Sequence, residues 1–175
     1  LSMFVMMPSC VPATNMETSG ATLHAWDIEP FKDNPWVLGL AEMMNYPGTV
    51  YGDPEVLAKI TLFKDKVIDG HAPGLSGLPL NAYVATGIRS DHECTTVEEA
   101  REKLRLGMTI FVREATTAHN LDALLAVITP ATSARLCWCT CDRQPADVLD
   151  QGGIDYVVRR ANRQGSDPVT ALQSA

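Results

Sequence analysis

Short apolar runs punctuate the chain at residues 4–7, 37–40, 66–69, 88–90, 109–112 and 136–140, with the length and composition of strands buried in a parallel sheet. Helical patterns separate them. Residues 53–60 start with Asp53 and Pro54 and carry Glu55 four positions before Lys59, which predicts an Asp-capped helix supported by an i,i+4 ion pair. Residues 95–104 offer a Thr cap with Glu98 or Glu99 in capping-box reach and place Val97, Ala100 and Leu104 on one face. Shorter helices are expected over 120–127, 145–150 and 154–162, and Ser166-Asp167-Pro168 opens a last one over 169–173. Strand alternating with helix predicts an α/β fold around a parallel sheet.

Length then limits the architecture. The 175 residues make one domain's worth of chain, 46% hydrophobic and 20% charged, which excludes collagen-like and disordered classes. They fall short of the ~250 residues typical of a closed (β/α)₈ barrel. Fourteen Lys and Arg against 21 Asp and Glu give a net charge of −7 without a basic stripe, so no nucleic-acid partner is expected. The apolar opening from Leu1 to Met7 is interrupted by Pro8 and Ser9 well before the ~18 residues of a membrane span; it reads as a buried strand, with no membrane partner expected. A chain beginning with Leu suggests a fragment or a processed product. Five cysteines, Cys10, Cys94, Cys137, Cys139 and Cys141, form an odd set without secreted-scaffold spacing and read as reduced thiols of a cytoplasmic protein.

In parallel α/β folds the loops leaving the carboxyl ends of the strands carry the chemistry. Glu42 follows the second run, and a carboxylate in an apolar stretch is costly to bury unless it meets a cation. His71 follows the third behind Gly70, which frees the backbone to turn. His92 and Glu93 follow the fourth. Cys141 and Asp142 follow the sixth. Only His24 and His119 complete the histidines. Taken singly, Glu42 is more often a solvated or paired carboxylate and His71 a satisfied structural histidine. Together they suit a divalent metal cluster, since imidazole and carboxylate ligate Zn, Fe and Mn and a Glu can bridge two cations. Period-two spacing puts Cys137, Cys139 and Cys141 on one strand face, side by side rather than around one ion.

Several motifs carry a resemblance: Pro8-Ser9-Cys10-Val11-Pro12-Ala13-Thr14, Gly39-Leu40-Ala41-Glu42-Met43-Met44-Asn45-Tyr46-Pro47-Gly48, Asp69-Gly70-His71-Ala72-Pro73-Gly74, Asn81-Ala82-Tyr83 and Ser90-Asp91-His92-Glu93-Cys94-Thr95. In this order, and continuing to Leu172, they resemble the bacterial adenine deaminases of the amidohydrolase superfamily. The resemblance implies a (β/α)₈ TIM barrel with a metal centre at its C-terminal face, here incomplete (strands 3 to 8) over residues 1–175, without the first strands or the C-terminal domain. It implies metal-dependent hydrolysis of adenine to hypoxanthine and ammonia, with manganese, iron or zinc in a binuclear site. Glu42 would bridge the metals, and His71 and His92 would be ligands from the fifth and sixth strands. Glu93 and Asp142 are the candidate catalytic carboxylates for moving the proton of the attacking water to the leaving amine. Met43, Asn45 and Tyr46 are the candidate substrate contacts at the rim, with ordinary loop packing the equal alternative.

Three departures stand against the family pattern. Its first-strand His-x-His motif lies upstream of this chain. Where the family reads Cys-Thr-Asp-Asp-Arg-His-Pro, this chain reads Cys139-Thr140-Cys141-Asp142-Arg143-Gln144-Pro145, and one sequence does not decide which of the two Asp positions transfers the proton. The family's Glu-Gly-His-Ile-Asp-Tyr becomes Gln151-Gly152-Gly153-Ile154-Asp155-Tyr156. Arg113 and Glu114 read as a charge pair ordering the end of their strand. Open sheet edges are expected to make the chain a homo-oligomer. A non-catalytic remnant, or an amidohydrolase acting on another base or cyclic amide, remains the alternative.

Overall fold

The computed structural model describes residues 2–175, so the Leu1 end of the expected first strand lies outside the described residues. The fold is mixed α/β with parallel strand pairing. The chain divides into two compact units, the first ending at Asp91 and the second comprising His92–Ala175. Among the described residues no helix is long and apolar enough to cross a membrane.

In the first unit, β1 (Val5–Met7), β2 (Val37–Met43) and β3 (Val67–Gly70) form a parallel sheet in that order. β2 lies in the middle, and Gly39 is required there: a Cβ at this position would stand 1.9 Å from the Val67 carbonyl oxygen. Helix α3 (Pro54–Leu62) makes the crossover from β2 to β3, and α4 (Gly77–Ala85) the one from β3 to the two-residue β4 (Ser90–Asp91). Leu40, Met43, Ile60, Phe63, Ile68, Leu80, Tyr83 and Ile88 are buried and make up its core. The strand expected at 4–7 is present but not buried: Phe4 and Val5 are exposed, because β1 is the sheet's edge.

Three helices escaped the sequence pattern. Asn45 accepts the Gly48 N–H (2.9 Å) and caps α2 (Tyr46–Tyr51), so the Pro47-Gly48 pair opens a helix instead of continuing a rim loop. Helix α4 has neither a capping side chain nor a charged residue to mark it. A still shorter helix, α1 (Ala25–Ile28), precedes β2. Asp53 caps α3 as expected, accepting from Glu55 and Val56 N–H. The expected Glu55–Lys59 pair is replaced. Glu55 meets His24 (2.8 Å), while Lys59 turns inwards and donates its Nζ proton to the Ser9 carbonyl (2.7 Å). Burial pulls the Lys59 amine below its ordinary value.

In the second unit, β5 (Thr109–Arg113) and β6 (Leu136–Cys139) pair in parallel in continuous register. Around them lie α5 (Val97–Arg105), α6 (Leu121–Leu124), α7 (Pro145–Gln151), α8 (Ile154–Arg163) and α9 (Pro168–Gln173). Ile110, Val112, Leu121, Leu136, Trp138, Val157, Ala161 and Ala171 form one buried cluster. Of the two capping-box candidates, Glu99 serves: its N–H reaches Thr96 Oγ1 (3.2 Å) and its carboxylate accepts the Thr95 N–H (3.1 Å). Strand β6 stops at Cys139. Cys141 lies beyond it in the left-handed region (φ 45°) and so leaves the strand face assigned to Cys137 and Cys139.

Candidate metal centre

Parallel pairing brings the carboxyl ends of β2 and β3 together, with Met43 opposite Gly70. Alternation along β2 turns Met43 into the core and Glu42 away from it, and His71 is the first residue past β3. The result is a close pair: His71 Nδ1 lies 2.9 Å from Glu42 Oε2, with the His71 side chain 24% exposed and that of Glu42 39%. Two of the sequence-predicted ligands are thus in contact, at an address where α/β folds bind ligands.

The backbone under the pair is held by side chains. Pairing with β3 carries β2 to Met43 instead of ending at 40, and Ser9 Oγ donates to the Glu42 carbonyl (2.5 Å) while the Met44 N–H donates to Cys10 Sγ (3.2 Å). Tyr83, on α4 and fully buried, donates its hydroxyl proton to the Met43 carbonyl (2.8 Å) and accepts the His71 N–H (3.0 Å). Burial pushes the phenol well above its ordinary value and keeps it a neutral donor. Gly70 is needed for close approach, since a Cβ there would lie 2.3 Å from the Ser90 carbonyl oxygen; its φ is not in the left-handed region, so freedom to turn is not its role. Ser90 Oγ donates to Asp69 (2.7 Å), and Asp91 accepts the Ala72 N–H (2.9 Å).

His92 follows β4 directly and begins the second unit. There His92 Nε2 lies 3.4 Å from Glu93 Oε1, and both side chains are largely buried. Glu93 receives both terminal nitrogens of Arg113 from the end of β5, while Arg113 Nε donates to Asn120 Oδ1 (3.0 Å). Burial opposes the charge on Arg113, but the Glu93 carboxylate, with a smaller contribution from Cys141, raises the guanidinium above its usual value. This overturns the expected Arg113–Glu114 pair. Neighbours on a strand point to opposite faces, so Arg113 serves Glu93, and Glu114 is fully buried against Arg160 (2.5 Å) and the Leu121 N–H (3.1 Å). Asp142 is exposed and accepts from Thr117 Oγ1 (3.0 Å).

The rim residues are less loop-like than expected. Met43 ends β2 and is buried, Asn45 is the buried cap of α2, and Tyr46 is that helix's first residue. Met43 and Asn45 do line a cavity of about 290 Å³ in the first unit, with Ser9, Cys10, His24 and Lys59 among its walls. Sequence reasoning missed Tyr83, Ser9 and Cys10 as supports of the Glu42–His71 pair. Their only signal was their place in motifs shared with the family.

These features define an α/β protein whose carboxylate and imidazole side chains gather at the ends of parallel strands, a donor set suited to divalent cations. Comparison with known proteins places that class more closely. No protein-family model matches the chain. It is 54% identical over 177 residues to a protein named adenine deaminase from Desulfatibacillum aliphaticivorans, covering all of this chain and 31% of that protein. It is 50% identical to an adenine deaminase from Kosmotoga olearia (all of the chain, 31% of the relative) and 51% identical to one from Brucella abortus (98% and 29%). The chain is therefore homologous, along essentially its whole length, to a segment of adenine deaminases, and spans about 30% of the length of these relatives.

Proposed function

We propose that the chain is part of an adenine deaminase, and that the full-length protein hydrolyses adenine to hypoxanthine and ammonia. The observation that carries this reading is the Glu42–His71 contact at neighbouring strand ends in a chain 54% identical to a protein of that name. In this reading residues 1–175 form one incomplete (β/α)₈ barrel domain, strands 3 to 8.

Glu42, His71 and His92 are the proposed ligands of a binuclear site for manganese, or for iron or zinc. The donor set fits, because a half-exposed carboxylate beside an imidazole suits any of these ions. Bound divalent ions would supply Lewis acidity at neutral pH. The chain's own carboxylates do the rest. Asp142, exposed at the end of β6, is the proposed carrier of the proton from the attacking water to the departing amine. Glu93, also proposed for the catalytic site, has both oxygens engaged by Arg113 and stands beside His92, which suits it to fixing that ring. Met43, Asn45 and Tyr46, at and just past the carboxyl end of β2, are the proposed purine contacts; the cavity that Met43 and Asn45 line has neither Glu42 nor His71 in its walls. A cytoplasmic, self-associating enzyme without nucleic-acid or membrane partners completes the proposal.

The test is ammonia release from adenine by the purified full-length protein loaded with manganese. Turnover that chelation abolishes and manganese restores is the expected result; no turnover by the loaded protein refutes the reading. One observation favours a non-catalytic remnant, namely Cys141 standing where the family pattern has an Asp. Should Cys141→Asp alone create activity in an otherwise silent full-length protein, that second reading is correct.

A further inference from the structure

We propose that Tyr83 is the positioning residue of the Glu42–His71 pair: its hydroxyl joins the ends of β2 and β3 and sets how far apart the two side chains stand. The inference rests on the metal-centre reading of that pair and turns the backbone contact of Tyr83 into control of ligand spacing. Four observations carry it. Tyr83 is fully buried, so its hydroxyl has no competing solvent. It donates to the Met43 carbonyl, one residue past Glu42, and accepts from the N–H of His71 itself. The β2–β3 register shifts between Leu40 and Met43, where the regular ladder no longer fixes the spacing. Finally, Gly70 leaves the hydroxyl its room: a Cβ there would come within 3.0 Å of the Tyr83 oxygen.

A single hydroxyl thus takes the place of a ladder hydrogen bond at the point where the strands begin to splay. One buried backbone acceptor and one part-buried backbone donor bind it. Phenylalanine keeps the ring that fills the core between α4 and the sheet but leaves the Met43 carbonyl and the His71 N–H without this partner. The main effect falls on the backbone carrying Glu42 and His71, and through it on their ability to hold an ion. Partners that orient ligands without touching a metal typically change affinity by ~10–100-fold when removed.

The experiment, in the full-length protein, compares Tyr83→Phe with the parent and with Tyr51→Phe, an exposed tyrosine, in two measurements. The first is amide hydrogen exchange at His71 relative to the Ile68 amide in β3, the strand that precedes it. The second is titration with manganese alone, with Glu42→Gln as the variant that removes a ligand. The expected result is faster exchange at His71 by about tenfold or more with Ile68 unchanged, and a manganese dissociation constant raised by about tenfold. Tyr51→Phe should match the parent chain in both.

Unchanged exchange at His71 overturns the proposal whatever the manganese result. Manganese binding by Tyr83→Phe as tight as by the parent, while Glu42→Gln loses it, also overturns it and leaves the metal reading standing. If the full-length parent binds no manganese, the metal reading fails on its own, and exchange at His71 still decides whether the hydroxyl holds the pair. A variant that exchanges faster at Ile68 and His71 alike has lost packing rather than a local clamp, and that too refutes a positioning role.

Discussion

Glu42 meets His71 at 2.9 Å in the first unit and Glu114 meets His119 at 3.1 Å in the second, yet the two carboxylate–imidazole pairs are built for different ends. Glu114 is fully buried. It accepts from Arg160 and from the Leu121 N–H, and Arg160 is itself paired with Asp122 at 2.9 Å, so the charge is neutralised inside the protein and His119 is a half-exposed accessory. Glu42 is the reverse case. Its carboxylate is over a third exposed, and Ser9 and Tyr83 hold the backbone around it rather than the carboxylate itself. Identical residue types at strand ends therefore say little until the partners of each oxygen are known. A buried carboxylate matched by a guanidinium and an amide is a structural element, and the partly exposed Glu42 is the one proposed as a metal ligand.

The sharpest way to break this contrast is to remove the cation from one side of it. Arg160→Ala leaves Glu114 buried without its guanidinium, and breaking a buried pair in this way costs about 3–5 kcal/mol. In denaturant unfolding this variant should lose more stability than Tyr83→Phe, Glu42→Gln or any variant at Cys141. Glu42→Gln should lie within about 1 kcal/mol of the parent chain, because a partly exposed pair contributes little, and its effect should fall on manganese binding instead. If Glu42→Gln destabilises as much as Arg160→Ala, the two pairs are alike and the functional distinction between them disappears.

How much of the molecule was legible in its sequence varies with the physics of each element. Helices with a side-chain cap and charged flanks, α3 and α5, were readable because their signals are local. Helix α4 was not: it is capped by no side chain and is stabilised by burying Leu80 and Tyr83, which is a tertiary fact. The strand positions were readable from their apolar runs, but the burial of β1 was not, since apolar composition does not tell an edge from a centre. Within the site, Glu42 and His71 were legible as polar residues following apolar runs, and the parallel topology then brought them together. Tyr83 was not, because a tyrosine twelve residues past His71 looks like core until its hydroxyl is seen between two strand ends. Nor was the division of labour between Arg113 and Glu114: adjacency in sequence suggested a pair, and strand geometry sends the two to opposite faces.

The smallest expected effect concerns the end of β6, the counterpart in the second unit of the strand ends that carry Glu42 and His71. Cys141 is the one non-glycine residue with positive φ among the described residues, and at 45° its Cβ crowds the backbone. A left-handed conformation costs a non-glycine residue about 1–3 kcal/mol, less for Asn and Asp, whose short polar side chains hydrogen-bond locally. The family pattern places Asp here, which suits the conformation as well as any chemistry. Cys141→Asn should therefore stabilise the chain by no more than about 1 kcal/mol in denaturant unfolding, part of the strain being relieved and the fold left as it is. Cys141→Ala, which keeps the Cβ and offers no local hydrogen bond, should not reproduce the gain. Were alanine to stabilise as much as asparagine, the left-handed backbone would not be the cause, and the carboxylate of the family pattern would have to be explained by chemistry alone.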